Sequence, residues 1–152
     1  MSERIGLTLS GGGFRAAAFH LGVLKGLARV GWLDRVDVVS GVSGGAMLAA
    51  AWLLACRKQG MGLEEFEQRA FAFMTSRFKW RLAWASLHPR RLWRCMLDRT
   101  YSLTEVMAEV MDREVYRGAT LGALADTRPT LVVNATCVNH GRNWRFTPAF
   151  IR

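Results

Sequence analysis

Ser43 has the strongest chemical placement in the chain, at the centre of Gly-Val-Ser-Gly-Gly, Gly41 to Gly45. This is the small-x-Ser-x-small form of a nucleophile elbow, in which a sharp strand-to-helix turn pushes a serine hydroxyl clear of the backbone. Glycines on both sides relieve the crowding, and the first amides of the following helix present partial positive charge to a substrate oxygen. The same five residues also suit a plain glycine-rich turn with a helix-capping serine. A second loop, Ser-Gly-Gly-Gly-Phe-Arg-Ala at Ser10 to Ala16, lets backbone N–H groups approach a ligand closely, as an anion or oxyanion site requires. Gly11, Gly13 and Ala16 also fit the G-x-G-x-x-G/A dinucleotide fingerprint. That reading needs a ribose-binding acid near the end of the second strand. Here Val36 to Ser40 runs into Gly41 and Ser43, and Asp34 and Asp37 stand at its beginning. No G-x-x-x-x-G-K-[ST] phosphate loop is present.

The elements that position these loops follow from the hydrophobic pattern. Ile5 to Ser10 reads as a strand and Phe14 to Val30 as a helix closed by Gly31. Val36 to Ser40 reads as a second strand, and Ala46 to Lys58 as a second helix. Two strands joined by such a helix lie parallel with a right-handed crossover, so the loops after both strands emerge at one sheet edge as neighbours. Leu63 to Leu124 is mostly helical in pattern. Thr130 to Cys137 reads as a third strand, and a turn from Gly141 leads to a fourth at Trp144 to Thr147. The fold class is α/β.

With 152 residues, 51% hydrophobic and 22% charged, the chain can bury the core of one domain, which argues against disorder. Its 21 Lys and Arg against 12 acids give +9, a balance that suits an anionic partner such as phospholipid or nucleic acid. Cys56, Cys95 and Cys137 are too few and too widely spaced for a disulfide framework, and no His/Cys/Asp cluster has metal-ligand spacing. They read as buried thiols in a reducing compartment. The longest apolar run, Ala46 to Cys56, is too short to span a bilayer, and the N-terminus lacks a secretory pattern. The expectation is a cytoplasmic protein that meets a membrane only at its surface.

GGGFRAAAFHLGVL (Gly11 to Leu24), GVSGGA (Gly41 to Ala46) and LVVNAT (Leu131 to Thr136) together resemble, in that order, segments of the patatin-like phospholipase family. The resemblance covers nearly the whole chain and is specific in those segments. It implies a three-layer α/β/α sheet of mainly parallel strands forming one domain over residues 5–152. It also implies hydrolysis of lipid acyl esters, with phospholipid as the substrate class, by a Ser/Asp dyad. On that basis Ser43 is the nucleophile. Gly11, Gly12, Gly13, Phe14 and Gly44 form the oxyanion hole, and Arg15 supports the loop or meets an anionic head group. No cofactor is implied, calcium included. The family's aspartate stands in a later Asp-Gly-Gly or Asp-Gly-Ala motif. Here Asp98, Asp112 and Asp126 precede Arg, Arg and Thr, and no Asp is followed by Gly. The expectation is therefore a sheet incomplete at its C-terminal end, truncated before that motif, and a hydrolase impaired by the lack of its acid. The alternative is a catalytically inactive fragment or a basic lipid-surface binding protein.

His20 falls within the apolar face formed by Ala17, Leu24 and Leu27, so it reads as a core histidine with a satisfied partner. His88 and His140 read as exposed loop residues. Between Arg77 and Arg99, Trp80, Trp84 and Trp93 alternate with basic residues against the single acid Asp98. This stretch suits docking on anionic lipid better than single-stranded nucleic acid, because the serine loops favour lipid. Its bland reading is a core of tryptophans beneath a solvated arginine face.

Overall fold

A computed structural model describes residues 4–76 and 102–150, together with Leu87, Pro89, Trp93 and Leu97. The chain divides into two compact units, one of Met1–Phe71 with Thr120–Arg152 and the other of Ala72–Ala119.

The first unit is built on a four-stranded sheet in the order β1-β2-β3-β4. Its strands are β1 (Ile5–Leu9), β2 (Val36–Val42), β3 (Thr130–Cys137) and β4 (Arg142–Phe146). β1, β2 and β3 run parallel, and β4 returns antiparallel to β3. Pairing places Leu7 beside Val39 and Leu9 beside Gly41, while Val39 lies beside Leu131 on its other side. These residues share one face of the pleat, and Leu9, Val39 and Leu131 are buried there. The alternate positions Thr8, Val38 and Val42 are exposed.

Helix α1 (Gly13–Arg29) connects β1 to β2, and α2 (Gly44–Trp52) follows β2. Right-handed crossovers in this strand order put both helices on the same sheet face. Accordingly α1 packs against α2, and α2 rests on β2 and β3. Ala17, Leu21 and Leu24 of α1 and Leu48, Ala49 and Trp52 of α2 fill this layer. α2 is nearly apolar throughout, as a helix sandwiched between sheet and helix must be. It continues to Lys58 in wider π-helical turns, where Leu53 and Leu54 are buried and the Arg57 guanidinium lies 5.5 Å from the Trp52 ring. Helix α3 (Leu63–Thr75) buries Phe66, and its Glu67 Oε1 accepts from Lys25 Nζ of α1 at 2.7 Å.

In the second unit, α4 (Leu103–Met111) buries Val106 and Val110, one turn apart on one face. π-helical turns from Asp112 to Tyr116 prolong it until Arg117 turns left-handed at φ 53°. Asp112 ties off this end, its Oδ1 accepting the Gly118 amide at 3.0 Å. Apart from Leu87, Pro89, Trp93 and Leu97, which are exposed, the basic aromatic stretch from Arg77 to Arg99 lies outside the described residues. His88, Cys95 and Asp98 lie outside them too.

The elements read from the pattern form close to their expected positions. β2 extends to Val42, up to the serine, and α2 begins at Gly44 rather than Ala46. β4 begins at Arg142, ahead of the expected Trp144, because Cys137 to Val133 pair continuously with Arg142 to Phe146.

Candidate active site

β1 and β2 are parallel neighbours, so the triglycine loop and the serine elbow leave the sheet at the same edge. Ser43 occupies φ 49° and ψ −123°, one of two non-glycine residues with positive φ among those described. A side chain held in such a conformation costs of order 1–3 kcal/mol and persists only where its surroundings impose it. The glycines show how it is imposed. A Cβ on Gly41 would stand 2.6 Å from the Ala46 Cα, so β2 and α2 are folded tightly onto each other around the serine. A Cβ on Gly45 would stand 2.5 Å from the Ser10 carbonyl oxygen, and one on Gly44 would collide with the Gly13 carbonyl. Gly11 in turn lies against Ser43, its added Cβ falling 3.3 Å from the Ser43 Cβ. The two glycine loops are therefore packed backbone to backbone, as the parallel topology requires.

Ser43 is exposed, and its side chain makes no capping hydrogen bond. Its carbonyl oxygen accepts the Met47 amide at 2.9 Å and starts the helix. Gly44 and Gly45, both buried, begin α2 immediately beside it. In the other loop Gly12 has φ 138° and Gly13 φ 63°, a path that a residue with a Cβ takes only under strain. Gly11, Gly12 and Gly13 are exposed, Phe14 is half-buried, and Arg15 is exposed in the first turn of α1.

Two side chains brace these loops. His20 is buried, as its place on α1 predicts, and its Nε2 shares a hydrogen bond of 3.1 Å with Ser10 Oγ at the start of the glycine loop. The Phe19 ring meets the His20 ring edge-on at 5.4 Å. Asn134 of β3 donates from Nδ2 to Ser40 Oγ at 2.8 Å and to the Gly41 carbonyl at 3.3 Å. Its Oδ1 accepts from Asn143 of β4 at 3.3 Å. Sequence reasoning did not single out Asn134. The available signal was an amide side chain inside a strand run of apolar residues, where it needs a partner.

The acids of the dinucleotide alternative have other work. Asp37 Oδ2 accepts the Ile5 amide at 3.0 Å, and Asp34 Oδ1 accepts from Arg57 at 2.7 Å, both at the sheet edge away from the glycine loops. His140 is exposed in the β3–β4 turn, with Nδ1 3.5 Å from Cys137 Sγ. Cys56 and Cys137 are free thiols and only half-buried, less enclosed than expected. Burial nevertheless pushes the Cys56 thiol up to about 11, although the Arg57 charge acts the other way. Among the described residues no group of three or more His, Cys, Asp or Glu could hold a metal ion.

The first unit is thus a mainly parallel α/β sheet with a strained serine in its strand-to-helix turn. The sequence matches the Patatin-like phospholipase family over residues 7–150, and the chain belongs to that family. It is 35% identical over 104 residues to neuropathy target esterase sws of Drosophila melanogaster, a match covering 68% of this chain and 6% of that protein. The Drosophila grimshawi counterpart is 34% identical over 104 residues, with the same coverage of each chain. The chain thus spans a small part of the curated relatives it matches. Human GIVD cytosolic phospholipase A2, in complex with methyl gamma-linolenyl fluorophosphonate inhibitor and terbium chloride, shares the fold with a TM-score of 0.68. That match has 21% identity and covers 98% of this chain and 24% of that one.

Proposed function

We propose that the chain is a serine acyl hydrolase acting on lipid esters, with phospholipid as the substrate class. The observation that carries this reading is Ser43 itself, which is exposed, strained at φ 49° and not used as a helix cap. Its Oγ attacks the ester carbonyl, and the carbonyl electron pair moves onto oxygen. Amides of Gly11, Gly12, Gly13, Phe14 and Gly44 receive that charge, helped by the N-terminal end of α2. Collapse of the tetrahedral intermediate breaks the ester bond, releases the alcohol with a proton and leaves an acyl-serine. Water then frees the fatty acid and restores Ser43. Arg15, at the mouth of the glycine loop, supports the loop or meets the anionic head group. Residues 5–152 act as the patatin-like domain, without a cofactor.

The proton on Ser43 Oγ needs an acceptor, and no Asp in the sequence is followed by Gly as in the family motif. The charge of +9 favours a second reading, a basic lipid-surface binding protein. No helix of the described residues is long and apolar enough to cross a membrane. The free thiols Cys56 and Cys137 suit a cytoplasmic protein working at a membrane surface.

Fatty-acid release from sonicated phospholipid and from a soluble short-chain ester, with Ser43→Ala beside the wild type, tests the proposal. The hydrolase reading requires a fall of at least about a hundredfold in the variant. Equal rates in the two proteins would overturn it.

A further inference from the structure

The β3–β4 hairpin reaches past the serine elbow at the same sheet edge. β3 pairs with β2 as far as Val42 opposite Asn134, and Ala135, Thr136 and Cys137 continue beyond it. Three further residues at about 3.3 Å each carry the strand about 10 Å past the last β2 pair before the turn at Val138 to Gly141. Val138, at the tip, is 93% exposed, and Trp144 on the returning strand is 44% exposed. Arg142 and Arg145 are exposed on the same strand, and no acid occurs from Thr130 to Thr147. The opposite edge differs, because there Asp34 and Asp37 are interspersed with Arg4, Arg29 and Arg35. A protruding apolar tip, an aromatic ring behind it and unopposed arginines form an arrangement suited to the head-group layer of a bilayer.

We propose that the outer part of this hairpin, from Val138 at its tip through Arg142 and Trp144 back to Arg145, level with Val42, docks on anionic lipid and turns the edge carrying Ser43 toward the bilayer. Val138 and Trp144 enter the head-group region, and the two guanidiniums pair with lipid phosphates. The proposal rests on the lipid reading for its purpose, but the docking can be measured without catalysis.

Flotation of the full chain with vesicles of phosphatidylglycerol and phosphatidylcholine measures it. Arg142→Glu/Arg145→Glu is expected to lower the partition coefficient at least about tenfold, and Val138→Asp about threefold or more. Arg4→Glu/Arg29→Glu makes the same charge change at the opposite edge and is expected to cost less than about threefold. Circular dichroism on each variant verifies folding, and Val138→Asp, at a fully solvated position, is the variant that leaves packing untouched. The proposal is overturned if the wild type does not float, if the hairpin variants float as well as it does, or if both double reversals cost the same. Preference for a single-stranded oligonucleotide over the vesicles would also overturn it. Hydrolysis of the soluble short-chain ester keeps the two ideas apart. If Ser43→Ala leaves hydrolysis unchanged while the hairpin variants still lose vesicles, the hydrolase reading fails and the docking stands.

Discussion

Ser43 holds its backbone against its own preference, and a residue without a Cβ would adopt the same path freely. Ser43→Gly is therefore expected to raise unfolding stability by about 1 kcal/mol relative to Ser43→Ala, measured by denaturant titration. Asn134 acts on the same turn through the Gly41 carbonyl. Asn134→Leu removes that bond, the one to Ser40 and the one accepted from Asn143, and should lower stability by about 1–2 kcal/mol in the same titration. Cys56 gives a pH-dependent case. Its pKa in the folded chain is near 11 against an ordinary 9.0 because burial penalises the thiolate. The unfolded chain thus loses this proton first as pH rises, so stability from Cys56 is complete below pH 9 and declines as pH rises from 9 to 11. Iodoacetamide at pH 8 should consequently modify Cys56 at least about tenfold more slowly in the folded chain than in urea, as peptide mapping would show.

At the level of elements, the glycines divide by what surrounds them. Gly41 and Gly45 sit where β2, α2 and the β1–α1 loop meet backbone to backbone. Gly41→Ala and Gly45→Ala should each cost about 1–3 kcal/mol as those segments are forced apart. Gly22 and Gly26 lie inside α1 with open space around them. Gly22→Ala and Gly26→Ala should instead each add about 0.5–1 kcal/mol, measured as a rise in Tm. The strands and helices of the first unit were legible because their periodicities are strong and glycine punctuates them. The wider turns that end α2 were not, since Leu53 to Lys58 reads as ordinary helix. The start of β4 was hidden for a related reason. Arg142 and Asn143 carry no strand signal, and their pairing with Cys137 and Thr136 alone makes them strand.

Across the whole molecule, topology converts local motifs into a site. Two glycine loops separated by a helix become neighbours because β1 and β2 are parallel, a consequence already contained in the sequence pattern. The loops' contact through Gly11, Gly13, Gly44 and Gly45 follows from it. The brace from Asn134 was not legible, since it requires β3 to lie beside β2 across more than ninety residues of chain, with |i−j| of 93 between Asn134 and Gly41. Nor could periodicity reveal which partner satisfies His20, although the burial of that ring was readable from its helix face. The central claim is that this assembly makes Ser43 a nucleophile, and a fluorophosphonate tests it most directly because it traps one attack without requiring turnover. Intact-mass measurement of the folded chain should show a single adduct mapped to Ser43 and absent from a folded Ser43→Ala variant. A folded wild type that takes up no adduct, or an adduct retained in Ser43→Ala, would contradict it.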